Sequence, residues 1–300
     1  MNTIILGYLS AFLASIFFTI YIVPKKLSKQ KPIYYTMFVG LGFFVISLIF
    51  YIGQLIIKRE NAEPIFNPVL IFSAITGILW MIGSLLLLTS IDKIGLSRTS
   101  QWKNLQRPLG SILVLLFFSE FLTTNLIYLL LAIVVTFISA MLFTIKNDGE
   151  KRVETKNIIY AVSSAVLFGI NALLTRYVKA AGFLYVNQLY FSLFVFISAI
   201  VYVLIKDKNL KELKNIKDKN NMLGILGGSL YYFASYFSVN SFTYIPGSIG
   251  LTIAQLDSVW TILTGIVIFK EIEFTKHWVR ITIGLMLALI GVILLFYANK

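Results

Sequence analysis

The chain has 300 residues, 58% of them hydrophobic and only 13% charged, with a mean hydropathy of +0.85 and a formal net charge of +13. A soluble domain of that composition could not cover its surface with polar groups, so the fold class is an all-α polytopic membrane protein. With no cysteine, one histidine (His277) and no Gly-Lys dipeptide, the chain excludes disulfides, thiolate chemistry, Cys/His metal sites and a phosphate-binding P-loop. No catalytic residue, metal or cofactor is expected, and the chain does not read as an enzyme.

Apolar segments of about 20 residues recur with short polar breaks. Ten are counted, at 3–23, 33–57, 68–91, 94–118, 125–145, 157–178, 183–205, 221–242, 246–269 and 277–298. The first is not a signal peptide, because no basic stretch precedes it and no small-residue cleavage pattern follows. The longest breaks, 146–156 and 206–220, are too short to fold separately, so residues 1–300 form one membrane domain. Alternate connections gather Lys25, Lys26, Lys29 and Lys31, then Lys93 and Arg98, then Lys146, Lys151, Arg152 and Lys156. The series continues with six lysines between Lys206 and Lys219 and with Lys270, Lys276 and Arg280, whereas the other side holds only Lys58, Arg59, Arg176, Lys179 and Lys300. The positive-inside rule places the lysine-rich connections in the cytoplasm and both termini outside a plasma or inner membrane. It also accounts for the positive charge without nucleic acid as a partner.

The two halves, 1–149 and 150–300, repeat at an offset of 151 residues. Gly77-Ile-Leu-Trp80 with Ser84 matches Gly228-Ser-Leu-Tyr231 with Ser235, and Asn104-Leu105-Gln106 matches Gln255-Leu256-Asp257. Phe118-Ser-Glu120 matches Phe269-Lys-Glu271. Five spans per half is an odd number, so the halves would be inserted in opposite senses, as inverted repeats with a site at the midplane.

The fourth segment carries two cations where hydrocarbon is expected. Lys103 lies about ten residues in, roughly 15 Å deep, and Arg107 follows one turn later. Cations at that depth need a partner or an aqueous cavity. A helical wheel gathers Thr99, Ser100, Lys103, Gln106, Arg107 and Gly110 on one face, and Pro108 predicts a kink beside the cations. In the ninth segment Gly250, Ala254, Asp257, Thr261 and Thr264 share a face, and Asp257 is read as the acidic residue deepest in a span. Two readings stay open: a buried ion pair that fixes how the halves pack, or a charged substrate site. A coupling role for Asp257 in proton movement is a further expectation.

Trp80, Tyr231, Tyr232 and Tyr236 offer apolar faces with hydrogen-bonding edges, suited to sugar rings or to core packing. Asn171, Asn240 and Gln188 supply amides, read chiefly as interhelical hydrogen bonds. Gly224-x-x-x-Gly228, Ser73-x-x-x-Gly77 and Gly284, Ala288 and Gly291 read as packing surfaces. Pro24-Lys-Lys is expected to stop the first helix, and Glu120 and Glu271 are expected to be solvated. The candidate substrate-binding set is Lys103, Asn104, Gln106, Arg107, Asp257, Trp80, Tyr231, Tyr232 and Asn171.

Ten spans, the 5 + 5 inverted repeat and Phe-x-Glu closing the fourth and ninth segments resemble the drug/metabolite transporter superfamily in its EamA-like form. Val23-Pro-Lys-Lys and Gly95-Leu-Ser-Arg-x-x-Gln-Trp-Lys-Asn-Leu-Gln look most like its glucose/ribose and rhamnose uptake branch. The resemblance implies a central cavity lined by helices one, three, four, six, eight and nine, with five and ten peripheral. It also implies alternating access without ATP, often coupled to protons. The Lys103/Arg107 pair also resembles the way organic-anion exchangers of the superfamily hold phosphate or carboxylate. The expected function is secondary transport of a small polar metabolite, a sugar or sugar derivative first. Export of amino acids, organic anions or amphipathic drugs is the alternative, and a non-transporting scaffold the second. The lipid bilayer and a small-molecule substrate are the expected partners, with a homodimer also open.

Overall fold

A computed structural model describes residues 2–94, 99, 102–142, 155–208, 210–269 and 274–298. Gly95–Arg98, Ser100, Glu271 and most of the 146–156 connection lie outside the described residues.

Continuous apolar runs satisfy their own backbone donors and acceptors only as helices when no water is at hand, and helices are what form. In chain order they are α1 (Asn2–Ile20), α2 (Val23–Leu27), α3 (Pro32–Lys58), α4 (Leu70–Ile94), α5 (Gln106–Phe117), α6 (Leu126–Leu142) and α7 (Thr155–Ala180). There follow α8 (Tyr185–Asp207), α9 (Lys211–Lys214), α10 (Lys219–Ser241), α11 (Gly247–Ala254), α12 (Asp257–Val267) and α13 (Phe274–Ala298). Among the described residues eight helical segments are long and apolar enough to cross a membrane, with α11 and α12 acting as one of them. The shorter apolar helices α5 and α6 bring the apolar segments to the ten read from the sequence.

Local chemistry sets the ends. Pro32 opens α3 where a missing N–H is harmless. Asp218 caps α10 by accepting the N–H of Asn220 at 2.8 Å. Gly182, at φ +96°, turns the chain between α7 and α8. The first helix ends at Ile20, ahead of Pro24, which sits instead in the first turn of the short α2.

The packing partners are α3 with α10 and α8, α4 with α7 and α8, and α10 with α1. In addition α5 packs on α7 and α11, α1 on α11 and α12, and α6 on α13. Small residues mark the closest approaches. A Cβ on Gly42 would run into the Ile225 carbonyl oxygen, and one on Gly228 into that of Val39, so α3 and α10 touch backbone to backbone. A Cβ on Gly77 would lie 2.5 Å from the Phe191 carbonyl oxygen, which makes the same kind of contact between α4 and α8. At the periphery Ser139 donates to the Gly284 carbonyl at 2.7 Å, holding α6 to α13. Close backbone contact of this kind holds helices together where the solvent is as apolar as the side chains.

Gly228→Val must therefore force α3 and α10 apart. It is expected to abolish the monodisperse peak in fluorescence-detected size-exclusion chromatography. Gly53→Val, which has open space around it, is expected to elute as the parent protein does.

Candidate functional site

The fourth and ninth segments do not run as straight helices. Trp102 and Lys103 are helical, the backbone turns at Asn104–Leu105, and α5 begins at Gln106. The Leu105 N–H reaches back three residues to the Trp102 carbonyl at 3.2 Å, and regular bonding resumes from Leu109 to Leu105. Pro108 has no N–H to offer Asn104, which gives the break a local cause. The second break, at Gln255–Leu256, separates α11 from α12 and contains no proline. There Gln255, Leu256, Ser258 and Val259 each donate three residues back, at 2.9 to 3.1 Å, before Trp260 restores the usual pattern. Tightened segments in the middle of a helix commonly mark functional hinges. The two turns fall 151 residues apart, on the paired triplets Asn104-Leu-Gln106 and Gln255-Leu-Asp257.

A cavity opens beside both breaks. Lys103, Gln106 and Arg107 line it from the fourth segment and Asp257, the first residue of α12, from the ninth. A carboxylate in the first turn of a helix faces the positive end of the helix dipole. Arg107 Nη2 stands 3.9 Å from Asp257 Oδ2, with both side chains buried. The guanidinium lies 4.2 Å over the Phe18 ring, and Arg107 Nε is buried without a hydrogen-bond partner among the described residues. Thr19 Oγ1 donates to the Asp257 backbone carbonyl at 2.9 Å, which ties α1 to the second break.

Aromatic residues form the adjoining wall. Trp80 and Tyr231 meet at 4.8 Å between centroids and Tyr21 and Tyr231 at 5.0 Å, all three lining the cavity. Asn171 lines it too, held by donating Nδ2 to the Thr76 carbonyl at 3.0 Å. Further lining comes from Phe168, Thr175, Phe191, the α10 residues Ser235 and Ser238, and Phe242 just past the end of α10. The wall draws on the first, third, fourth, sixth, eighth and ninth spans, as the family resemblance implies, and also on the seventh through Phe191. The peripheral α6 and α13 contribute nothing to it among the described residues.

Seven of the nine candidates thus converge: Lys103, Gln106, Arg107, Asp257, Trp80, Tyr231 and Asn171. Two point elsewhere. Asn104 turns to α6, donating Nδ2 to the Ala140 carbonyl at 3.1 Å. Tyr232 is fully buried on another face of α10, against Phe50 and Tyr236. Of the amides read as interhelical links, Asn171 and Asn240 make such bonds, the latter to Ser10 Oγ at 3.2 Å. Gln188 is buried in α8 with no partner for either amide atom among the described residues.

Glu120 is not solvated. It is 5% exposed and accepts from the Gly247 N–H at 2.8 Å, the Ser248 N–H at 2.9 Å and Ser248 Oγ at 2.6 Å. Arg176 Nε lies 3.4 Å from Glu120 Oε1. A charged residue at a span end reads as solvated until a helix N-terminus from the far half is known to meet it. Phe18 and Tyr21 were also missed as cavity residues, since nothing in an apolar run distinguishes its inward aromatics.

An all-helical membrane bundle with a buried polar cavity between two broken helices has the form of a solute carrier. The profile of the sugar transport protein family matches residues 9–298, and the chain belongs to that family. It is 26% identical over 272 residues to the probable glucose uptake protein GlcU of Priestia megaterium, across 87% of this chain and 89% of that one. A solved crystal structure shares the fold with a TM-score of 0.74 over 98% of each chain, at 10% identity.

Asp257 faces both Arg107 and Lys103 in the cavity, so removing Asp257 leaves two buried cations without a counter-charge, whereas removing Arg107 leaves Asp257 facing Lys103. Asp257→Asn is expected to destabilise by about 3 kcal/mol and Arg107→Gln by less. The double variant should recover part of the Asp257→Asn loss, since it leaves one buried cation in place of two, read as thermal unfolding midpoints in detergent.

Proposed function

We propose that the chain carries a sugar or sugar derivative across the plasma membrane by alternating access, with the cavity at the two helix breaks as its binding site. The observation that carries this reading is the joint presence, in one cavity, of apolar ring faces from Trp80 and Tyr231 and polar groups from Lys103, Gln106, Arg107, Asn171 and Asp257. A sugar presents apolar C–H faces and a rim of hydroxyls, and these two kinds of wall match both. Sugar transport as the family's activity and the probable glucose uptake of its relative favour the same substrate class.

The two halves act as inverted repeats in this reading. Exchanging first-half and second-half spans maps the packing of α3 on α10 onto that of α8 on α4. It likewise maps α4 on α7 onto α10 on α1, and α5 on α7 onto the paired α11 and α12 on α1. The breaks and the glycine seams map onto each other as well. Such a chain can open to either side by rocking one helix bundle, drawn from both halves, against another about a fixed site, with no ATP site required. The lysine-rich connections face the cytoplasm and both termini lie outside. Asp257 is the candidate coupling carboxylate. A second reading of the substrate, a sugar carrying an acid group, is favoured by two cations facing one carboxylate and by the unpartnered Arg107 Nε.

Purified protein in liposomes preloaded with glucose is expected to accumulate labelled glucose by counterflow. Lys103→Met and Arg107→Ala should each lower that signal at least tenfold while eluting as folded protein. Competition by glucose, gluconate, glucuronate and amino acids ranks the substrate classes. Counterflow that none of these sugars supports, or that both variants leave unchanged, overturns the assignment.

A further inference from the structure

The buried carboxylate of Glu120 lies outside the binding residues and joins three elements. Ser119, in the left-handed region at φ +51°, turns the chain out of α5 and delivers Glu120 into a short 3-10 turn. From there it receives the first two N–H groups of α11 and the Ser248 hydroxyl, with Arg176 of α7 beside it. The Arg176 guanidinium rests 4.9 Å from the Phe118 ring and 5.9 Å from that of Phe242. Glu120 belongs to the first half of the chain, and its partners on α7 and α11 belong to the second.

Two features make this contact conditional on how α5, α7 and α11 are arranged. The residue before α11 is Pro246, which makes no side-chain cap. Helices usually satisfy their first donors with a side chain of their own segment. This one takes its acceptor from the opposite half and keeps it only while the start of α11 stays against the end of α5. A Cβ on Gly247 would come within 3.0 Å of Arg176 Nε and 2.9 Å of Val114 Cγ1, so the closed contact has no room for a larger residue.

Its position ties it to the cavity. Phe242 and Thr175 line the cavity, and Arg176 both follows Thr175 in α7 and stacks near Phe242. The contact therefore covers the end of the cavity reached by the final turn of α7 and the start of α11. That end lies opposite the lysine-rich connections.

We propose that Glu120, Arg176 and the N-terminus of α11 form a latch that holds this outer end of the cavity shut and parts when the cavity opens outward. The proposal rests on the alternating-access reading above. Both sides of the latch sit at span ends, so on parting the carboxylate and the freed N–H groups meet water instead of lipid. The bonds are exchanged, not lost, and that allows them to break in every cycle.

The chain contains no cysteine, so one introduced thiol reports alone. Ser238→Cys places it in the cavity wall. A membrane-impermeant maleimide is applied to intact cells and, separately, to inside-out vesicles. Adding Glu120→Gln or Arg176→Gln is expected to speed labelling at least fivefold in intact cells and not in vesicles. Both variants must elute as folded protein, and Ser248→Ala, which removes a single bond, takes their place if they do not. Equal labelling rates in the folded variants, or acceleration from both faces alike, overturn the latch. Acceleration in vesicles alone keeps the latch and reverses the assigned orientation. Faster labelling from outside, where the unaltered protein shows no sugar counterflow in liposomes, keeps the latch and rejects the substrate.

Discussion

In hydrocarbon, a peptide group without a hydrogen-bond partner costs several kcal/mol, so an interrupted helix at mid-membrane is tolerable only against protein or water. This chain interrupts two, and the rest of its architecture answers that constraint. At Gln255–Leu256 the backbone shortens its hydrogen bonds to three-residue steps and α1 supplies Thr19 to the Asp257 carbonyl. At Asn104–Leu105 the side chain of Asn104 reaches across to the Ala140 carbonyl of α6. Both breaks are thereby anchored on one side while the other side is left to the cavity. The charged residues sit there because that is where a polar wall already exists.

The fold was legible because it depends on composition and periodicity. Ten apolar runs, short breaks and lopsided lysines define the spans, and where residues are described the structure follows their boundaries to within a few residues apart from the two interruptions. The first had a visible cause in Pro108. The second had none of its own and could be inferred only from the pairing of Gln255-Leu-Asp257 with Asn104-Leu-Gln106.

The site was legible in its charges and less so in its direction. Lys103, Arg107 and Asp257 stood out because ionisable groups are costly in a span. Asn104 and Tyr232 were misplaced for a geometric reason. At about 100° per residue Asn104 lies as far round the helix from Lys103 as Tyr232 does from Tyr231, so in each pair one can face the cavity only if the other does not. Glu120 was misread because its partners lie 127 and 128 residues away in the chain. No local pattern announces that a helix elsewhere lacks a cap.

The glycine seams limit how the protein can deform. Where Gly42 and Gly228 bring α3 and α10 into backbone contact, no side chain stands between the helices to change rotamer. Such a seam has no alternative packing to fall into, and the same holds where Gly77 meets α8. Each pair forms a single stiff body, and the soft coordinates left to the fold are the few that pivot one body past another. For a protein with this little polar surface, movement confined to those coordinates would keep unpaired backbone out of the lipid.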